Sequence, residues 1–152
     1  MLMTTMYTKD KKQLKSLIVD FLKANKINYS ITSDERIIIP YRSLVESEEL
    51  QVNIAIIFVE GFDAISFNAI FILRKETNLD EVRTNLLSMN SHILYGSLSL
   101  EEGSDKIWYK SNYFLEDNDT IELSRYTRIV VECLELHKKL YEAGYIKSAS
   151  GL

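Results

Sequence analysis

Residues 50–73 read LQVNIAIIFVEGFDAISFNAIFIL, and the fold follows from how this stretch divides. Both halves are rich in β-branched and aromatic residues, and Glu60-Gly61 supplies the clearest turn between them, so the pattern predicts a long β-hairpin. In the first half Val52, Ile54, Ile56 and Phe58 mark one face, with Ala55, Ile57 and Val59 opposite. In the second half Ile65, Phe67, Ala69, Phe71 and Leu73 share a face, while Asp63, Ser66 and Asn68 interrupt the apolar run. Apolar character on both sides implies that part of the second face is covered too, by a helix or a partner.

Toward the N-terminus, Leu14, Leu17, Ile18, Phe21 and Leu22 repeat at helical spacing between about Asp10 and Asn25, with Lys11, Lys12, Lys15, Asp20 and Lys23 on the remaining surface. This amphipathic helix has one face to bury. Tyr29 and Ile31 then alternate with polar neighbours, Ser33-Asp34-Glu35 supplies turn residues, and Ile37 to Ile39 form a second short strand. Pro40 lacks an N–H and suits a strand end or a sheet edge. Ser43 to Glu49 is expected to be an acidic loop.

Toward the C-terminus, Asn78 and Glu81 have capping-box spacing, and Leu79, Val82, Leu86 and Met89 form a helical stripe that ends at Asn90-Ser-His. Two strands are expected over Ile93–Leu100 and Lys106–Leu115, joined across Glu101-Glu-Gly-Ser-Asp. A last helix is expected to start at Asp119 or Thr120 and to stop at Gly144, with a broad apolar face from Leu123 to Tyr141. The order α-β-β-β-β-α-β-β-α predicts an α+β, two-layer domain with helices on an antiparallel sheet. It argues against a ferredoxin-like split βαβ, because a helix precedes every strand and two hairpins follow one another. One domain over residues 1–152 is expected, with frayed ends at 1–8 and 146–152.

Composition narrows function by exclusion. A chain of 152 residues suffices for a core without disulfide or metal. A formal charge of -4 does not favour a nucleic-acid partner. The apolar runs are too short and too interrupted to span a bilayer, so no membrane association is expected. Cys133 is the sole cysteine, and no signal-peptide pattern stands at the start, so a cytoplasmic location is the expectation.

No recurrent catalytic or cofactor constellation is present. His92 and His137 are the two histidines, and neither sits in a spaced metal motif, so zinc should not be needed for folding. Cys133 reads as a buried small hydrophobe inside the last helix. The five glycines form neither a phosphate-binding loop nor a GxSxG elbow. The carboxylates at Asp34-Glu35, Glu46, Glu48, Glu49 and Glu101-Glu102 read as solvated turns or loops, and those at Asp117 and Asp119 as flanks of a helix start. No enzyme and no cofactor are expected.

Leu86-Leu-Ser-Met-Asn90, the glycine-containing strand Leu94-Tyr-Gly-Ser-Leu-Ser-Leu100, Lys106-Ile-Trp-Tyr-Lys110 and the long final helix resemble the YbjN-like family, which is grouped structurally with bacterial type III secretion chaperones. Asn90 corresponds to the family's asparagine after the second helix, and Gly96 to the small residue in the following strand. The resemblance implies a type III secretion chaperone-like fold and a small acidic homodimer that binds an extended segment of another protein. It places the dimer contact on the middle helix and neighbouring strands. The extra β material at Asn28 to Pro40 departs from that pattern.

A non-enzymatic domain engaging a protein or peptide segment, chaperone-like or regulatory, is therefore the expected function. A regulatory domain binding a small molecule is the alternative, and an exposed apolar groove rather than a deep polar pocket would discriminate for the first. The stripe Leu79, Val82, Leu86 and Met89 is the candidate dimer surface, unless it fills the monomer core.

Overall fold

The computed structural model describes residues 9–59, 61–115 and 120–151. Its elements are α1 (Lys11–Ala24), β1 (Ser30–Ile31), β2 (Ile37–Val45), β3 (Glu48–Val59), β4 (Ala64–Ile72), α2 (Leu79–Asn90), β5 (Ser97–Leu100), β6 (Lys106–Phe114) and α3 (Leu123–Glu142). The strands form one six-stranded sheet in the order β1-β2-β3-β4-β6-β5, with every neighbouring pair antiparallel. This is the expected α+β, two-layer arrangement, in the expected element order.

The register sorts the two faces. Ile37, Ile56, Phe67 and Ser111 lie side by side across β2, β3, β4 and β6, and Ala69, Tyr109 and Leu98 do the same one pleat further along. Buried residues of all three helices join this face in one core: Ile18 and Leu22 from α1, Val82 and Leu86 from α2, Tyr126, Ile129, Val130, Cys133, Leu136 and Leu140 from α3. The Tyr126 ring meets Phe21 and Phe67 edge-on, with centroids 5.2 and 5.7 Å away. On the opposite face β4 buries Ser66, Asn68 and Ile70, and the Asn68 amide donates to the Ser66 carbonyl and hydroxyl at 3.1 and 3.0 Å. Among the described residues the three helices join the other face, and Ile57 and Phe114 stand exposed on this one.

Local chemistry explains the helix starts. Asp10 caps α1 in a full capping box with Gln13. Asn78 caps α2 by accepting from the Glu81 N–H at 3.1 Å. The first helical residue of α3 is Leu123, later than expected, and the Glu122 N–H donates instead to the Tyr113 hydroxyl at 2.8 Å. Asp117, Asp119 and the turn residue Glu60 lie outside the described residues, as does the expected frayed end at 1–8.

Three expectations are corrected. Ser43–Glu49 is not a loop: β2 continues to Val45, and Glu46 and Ser47, with φ of 51° and 73°, form a two-residue turn into β3. Two successive positive φ values mark the turn type that suits hairpin twist, and neither residue is the asparagine or glycine that announces it. Pro40 is tolerated because β1 pairs only with Ile37 and Ile38, leaving an edge beyond. The strand expected from Ile93 begins at Ser97, for a reason given below.

The third correction concerns residues 146–151, which are anchored rather than frayed. Ile146 is wholly buried and bridges Leu73, while Ala149 bridges Gln51. The Lys147 and Gly151 N–H groups donate to the carbonyls of Ile72 and Ile70 at 2.8 and 2.9 Å. Truncating a fully buried isoleucine removes packing that the site cannot recover by collapse. Ile146→Ala should therefore lower unfolding free energy by about 2–4 kcal/mol in urea titrations, whereas a frayed end would register no change.

Candidate functional site

Helix α2 and the turn that follows it carry both residues matched to the family motif. Asn90 is the last residue of α2, and β5 is the last strand of the sheet, so the outer side of β5 is an edge. The Asn90 Oδ1 accepts from the Leu98 N–H, and its Nδ2 donates to the Leu98 carbonyl, both at 2.8 Å. One side-chain amide thus takes the place of a neighbouring strand. The asparagine is a backbone mimic here.

Gly96 lies against Tyr109 so closely that an added Cβ would sit 2.6 Å from two ring carbons. The Gly96 N–H donates to Glu132 Oε1 at 2.8 Å, and the Leu94 and Tyr95 N–H groups donate to Oε2 at 2.9 and 3.0 Å. The Tyr109 hydroxyl completes the set, donating to Oε1 at 2.9 Å. A single carboxylate from α3 therefore holds three consecutive backbone amides and a phenol. Those amides are committed to Glu132 and not to a ladder, which is why β5 starts only at Ser97. Burial and the bond to Glu132 push the Tyr109 phenol well above its usual range, so it remains a donor. Sequence reading missed Glu132, because nothing in the helical pattern of α3 marks it.

The stripe expected as a dimer surface divides. Val82 and Leu86 are 0% and 5% exposed, members of the monomer core beside Leu98 and Ile107, and Met89 packs partly buried against them. Leu79 is 42% exposed. Two helices cannot cover this sheet: six strands at about 4.8 Å spacing are roughly 24 Å across, and helices pack about 10 Å apart. With α1 over β3, and α3 over β3 and β4, the β5 side falls to α2.

A different α2 face is exposed: Leu79, Arg83 and Leu87, one turn apart, with Leu87 74% exposed. On one side of it lies a groove of about 590 Å³ lined by Leu73, Leu79, Arg83, Leu100, Glu101 and Asp105 among others. On the other lies a depression of about 310 Å³ lined by Arg83, Leu86, Leu87, Asn90, Leu98, Ser99 and Leu100. Arg83 and Leu100 line both, so the groove and the depression adjoin along α2 and the β5–β6 hairpin. Arg83 pairs with Asp80 at 3.1 Å, an exposed contact worth little to stability.

The residues considered for chemistry do not converge. His92 is exposed and borders a shallow depression of about 200 Å³ with Glu132, Glu135 and Lys139. His137 is buried in α3 at 1% exposure, its ring 4.9 Å edge-on from Phe71, and neither ring nitrogen has a hydrogen-bond partner. Cys133, buried one turn earlier, has its thiol pKa raised by burial and by the neighbouring Glu132 carboxylate. Among the described residues no group of three or more His, Cys, Asp or Glu is arranged to hold a metal ion, and no helix is long and apolar enough to cross a membrane. The turn acids are engaged locally: Asp34 with Thr32 and Arg36, Glu49 with Arg42, Glu101 with Ser104 and Trp108.

No family model matches this sequence, and no curated protein matches it. Among solved structures the chain is similar to the crystal structure of YbjN from E. coli, a proposed transcription regulator. The TM-score is 0.65 at 10% identity, covering 88% of this chain and 95% of that one. The likeness is one of fold. It agrees at that level with the resemblance carried by the Asn90 and Gly96 segment.

Two outcomes follow from this geometry. Gly96→Ala should cost about 1–3 kcal/mol, because the new methyl must displace the Tyr109 ring; an unchanged urea midpoint would mean that the loop does not press on Tyr109. Burial holds the His137 pKa down at about 4, below its ordinary 6.5. As pH falls through that window the unfolded chain takes up a proton that the folded chain refuses, so stability present above pH 6.5 is progressively lost. From pH 7 to pH 5 this removes about 2 kcal/mol, and His137→Leu should flatten that part of the pH dependence in paired denaturation curves.

Proposed function

We propose that this chain is a non-catalytic protein-binding domain, regulatory or chaperone-like, that engages an extended segment of a partner in the channel along α2. The observation that carries this reading is the exposed pair Leu79 and Leu87 flanking a leucine-lined floor, with Arg74, Glu76, Arg83 and Glu101 at an exposed rim. Apolar side chains left in water beside a concave, polar-rimmed surface favour a polypeptide partner. The fold shared with YbjN of E. coli, a proposed transcription regulator, supports the regulatory form of the reading.

The channel is built for side-chain capture rather than chemistry. Its floor comes from the core layer, since Leu73, Leu86 and Leu98 are themselves core members, so the floor is rigid and preformed. Its edge is fixed by Asn90, which occupies Leu98 and leaves less of β5 open to unspecific strand pairing.

Peptides selected from a random display library against the wild-type protein test the proposal. Against Leu79→Glu combined with Leu87→Glu, the enriched peptides should lose at least about tenfold in affinity, roughly 1.4 kcal/mol, while circular dichroism and thermal midpoint stay unchanged. Peptides that bind both proteins equally would sink the assignment of this surface. Val82→Asp, in contrast, should unfold the chain, because it buries an unpaired carboxylate in the core.

A further inference from the structure

Every second residue of β5 turns its backbone outward, away from β6. Two observations fix which ones. The Leu98 N–H and carbonyl bond the Asn90 side chain, and the Glu101 N–H donates across the hairpin to the Lys106 carbonyl at 2.9 Å. In an antiparallel pair the two directions alternate, so Leu98 and Leu100 face the open side of the sheet, while Ser97, Ser99 and Glu101 face β6. The Gly96 N–H, just before the strand, points outward as well.

Two of these three positions are answered from within the chain. Glu132 holds the Gly96 N–H at 2.8 Å, and Asn90 holds both Leu98 groups at 2.8 Å. Among the described residues no hydrogen bond on that side answers Leu100. The edge is closed at two places and open at one. Leu100 is also the residue that, with Arg83, lines both the groove and the depression along α2. A segment crossing from one to the other passes its free N–H and carbonyl. A helix spends its interior backbone groups on itself, whereas an extended chain offers a donor and an acceptor there.

We infer that the occupant of this surface is a β-strand of a partner protein, paired with the chain at Leu100 alone, apolar at alternate positions and carrying a lysine or arginine at the groove end. The inference rests on the protein-binding reading and adds its register. Leu98 is a core residue and Leu100 packs against the core, so a residue paired with Leu100 projects its side chain to the same face, toward α2. Residues two places away share that face about 7 Å to either side. One reaches the groove beside Leu79, the other the depression beside Leu87.

Charge selects the end. The groove rim carries Glu76, Glu101 and Asp105, all exposed. Its two cations are engaged elsewhere. The Arg74 Nε donates to the Ile146 carbonyl at 2.8 Å, with its guanidinium 5.0 Å from the centre of the Tyr141 ring, and Arg83 pairs with Asp80 at 3.1 Å. The acids are left to face a cation of the partner.

Peptides selected from the display library are the probe, used with the full chain. Each peptide amide is N-methylated in turn, which removes one donor and keeps the side chains. The expected result is one position where methylation costs at least about tenfold in affinity, with its immediate neighbours losing less than about threefold. On binding, hydrogen exchange at the Leu100 amide should slow by at least about tenfold, while the Gly96 and Leu98 amides, already engaged, change little. Some peptides could lose affinity for the Leu79→Glu, Leu87→Glu variant yet tolerate methylation everywhere and leave Leu100 exchange unchanged. They would overturn the strand and leave the binding surface standing, as would peptides that turn helical on binding. Selected peptides without Lys or Arg toward one end overturn the charged contact. Failure to select any peptide sensitive to the Leu79 and Leu87 substitutions overturns the reading of the surface itself.

Discussion

The width of the β-sheet is the constraint on which the rest of the structure depends. A six-stranded sheet presents more apolar surface than α1 and α3 can cover, so a third helix must lie over the β5–β6 side. That requirement draws Val82 and Leu86 inward and turns the adjacent, leucine-bearing face of α2 to water. It also brings the end of α2 beside the edge strand β5, where Asn90 can satisfy Leu98. The exposed channel is therefore a by-product of how the core is closed, and its floor is as rigid as that core.

Backbone hydrogen-bond accounting governs the two places where the sheet is irregular. At the β5 edge, Glu132 from α3 takes three amides that would otherwise face solvent or extend the strand. At the centre, residues 145–151 occupy the split between β3 and β4. Both devices couple the layers, since Glu132 sits on the last helix and the inserted segment follows directly from it. Helix α3 thus holds the sheet through its buried face, through one carboxylate and through the chain that leaves its end.

The buried polar groups serve packing and registry. Tyr41 and Tyr126 join hydroxyl to hydroxyl between β2 and α3, and burial raises the pKa of both phenols, so they stay neutral. Asn68 and Ser66 satisfy one another on the second face of β4. His137 is different, because its ring is buried with neither nitrogen partnered and it gains only the edge of Phe71. A neutral imidazole is tolerable there and an imidazolium is not, which makes it the acid-sensitive point of the core.

The amino-acid sequence by itself determined the element order, the two alternating faces of the central hairpin and the apolar stripe of each helix. Periods of two and 3.6 residues survive in any context that buries one face. It also determined the cap at Asn78, where a side chain answers an amide three residues away, whereas the box of Asp10 and Gln13 emerged only in the structure. The Glu46-Ser47 turn escaped sequence reading, because its two positive φ values are imposed by strand pairing on residues with no preference for them. Tertiary structure alone decided that Val82 and Leu86 belong inside, that Glu132 is a clamp, and that residues 146–151 complete the sheet. Each of these depends on a partner far away in sequence, Leu98, Gly96 or Gln51, and local pattern carries no information about which distant backbone group will need a hydrogen bond.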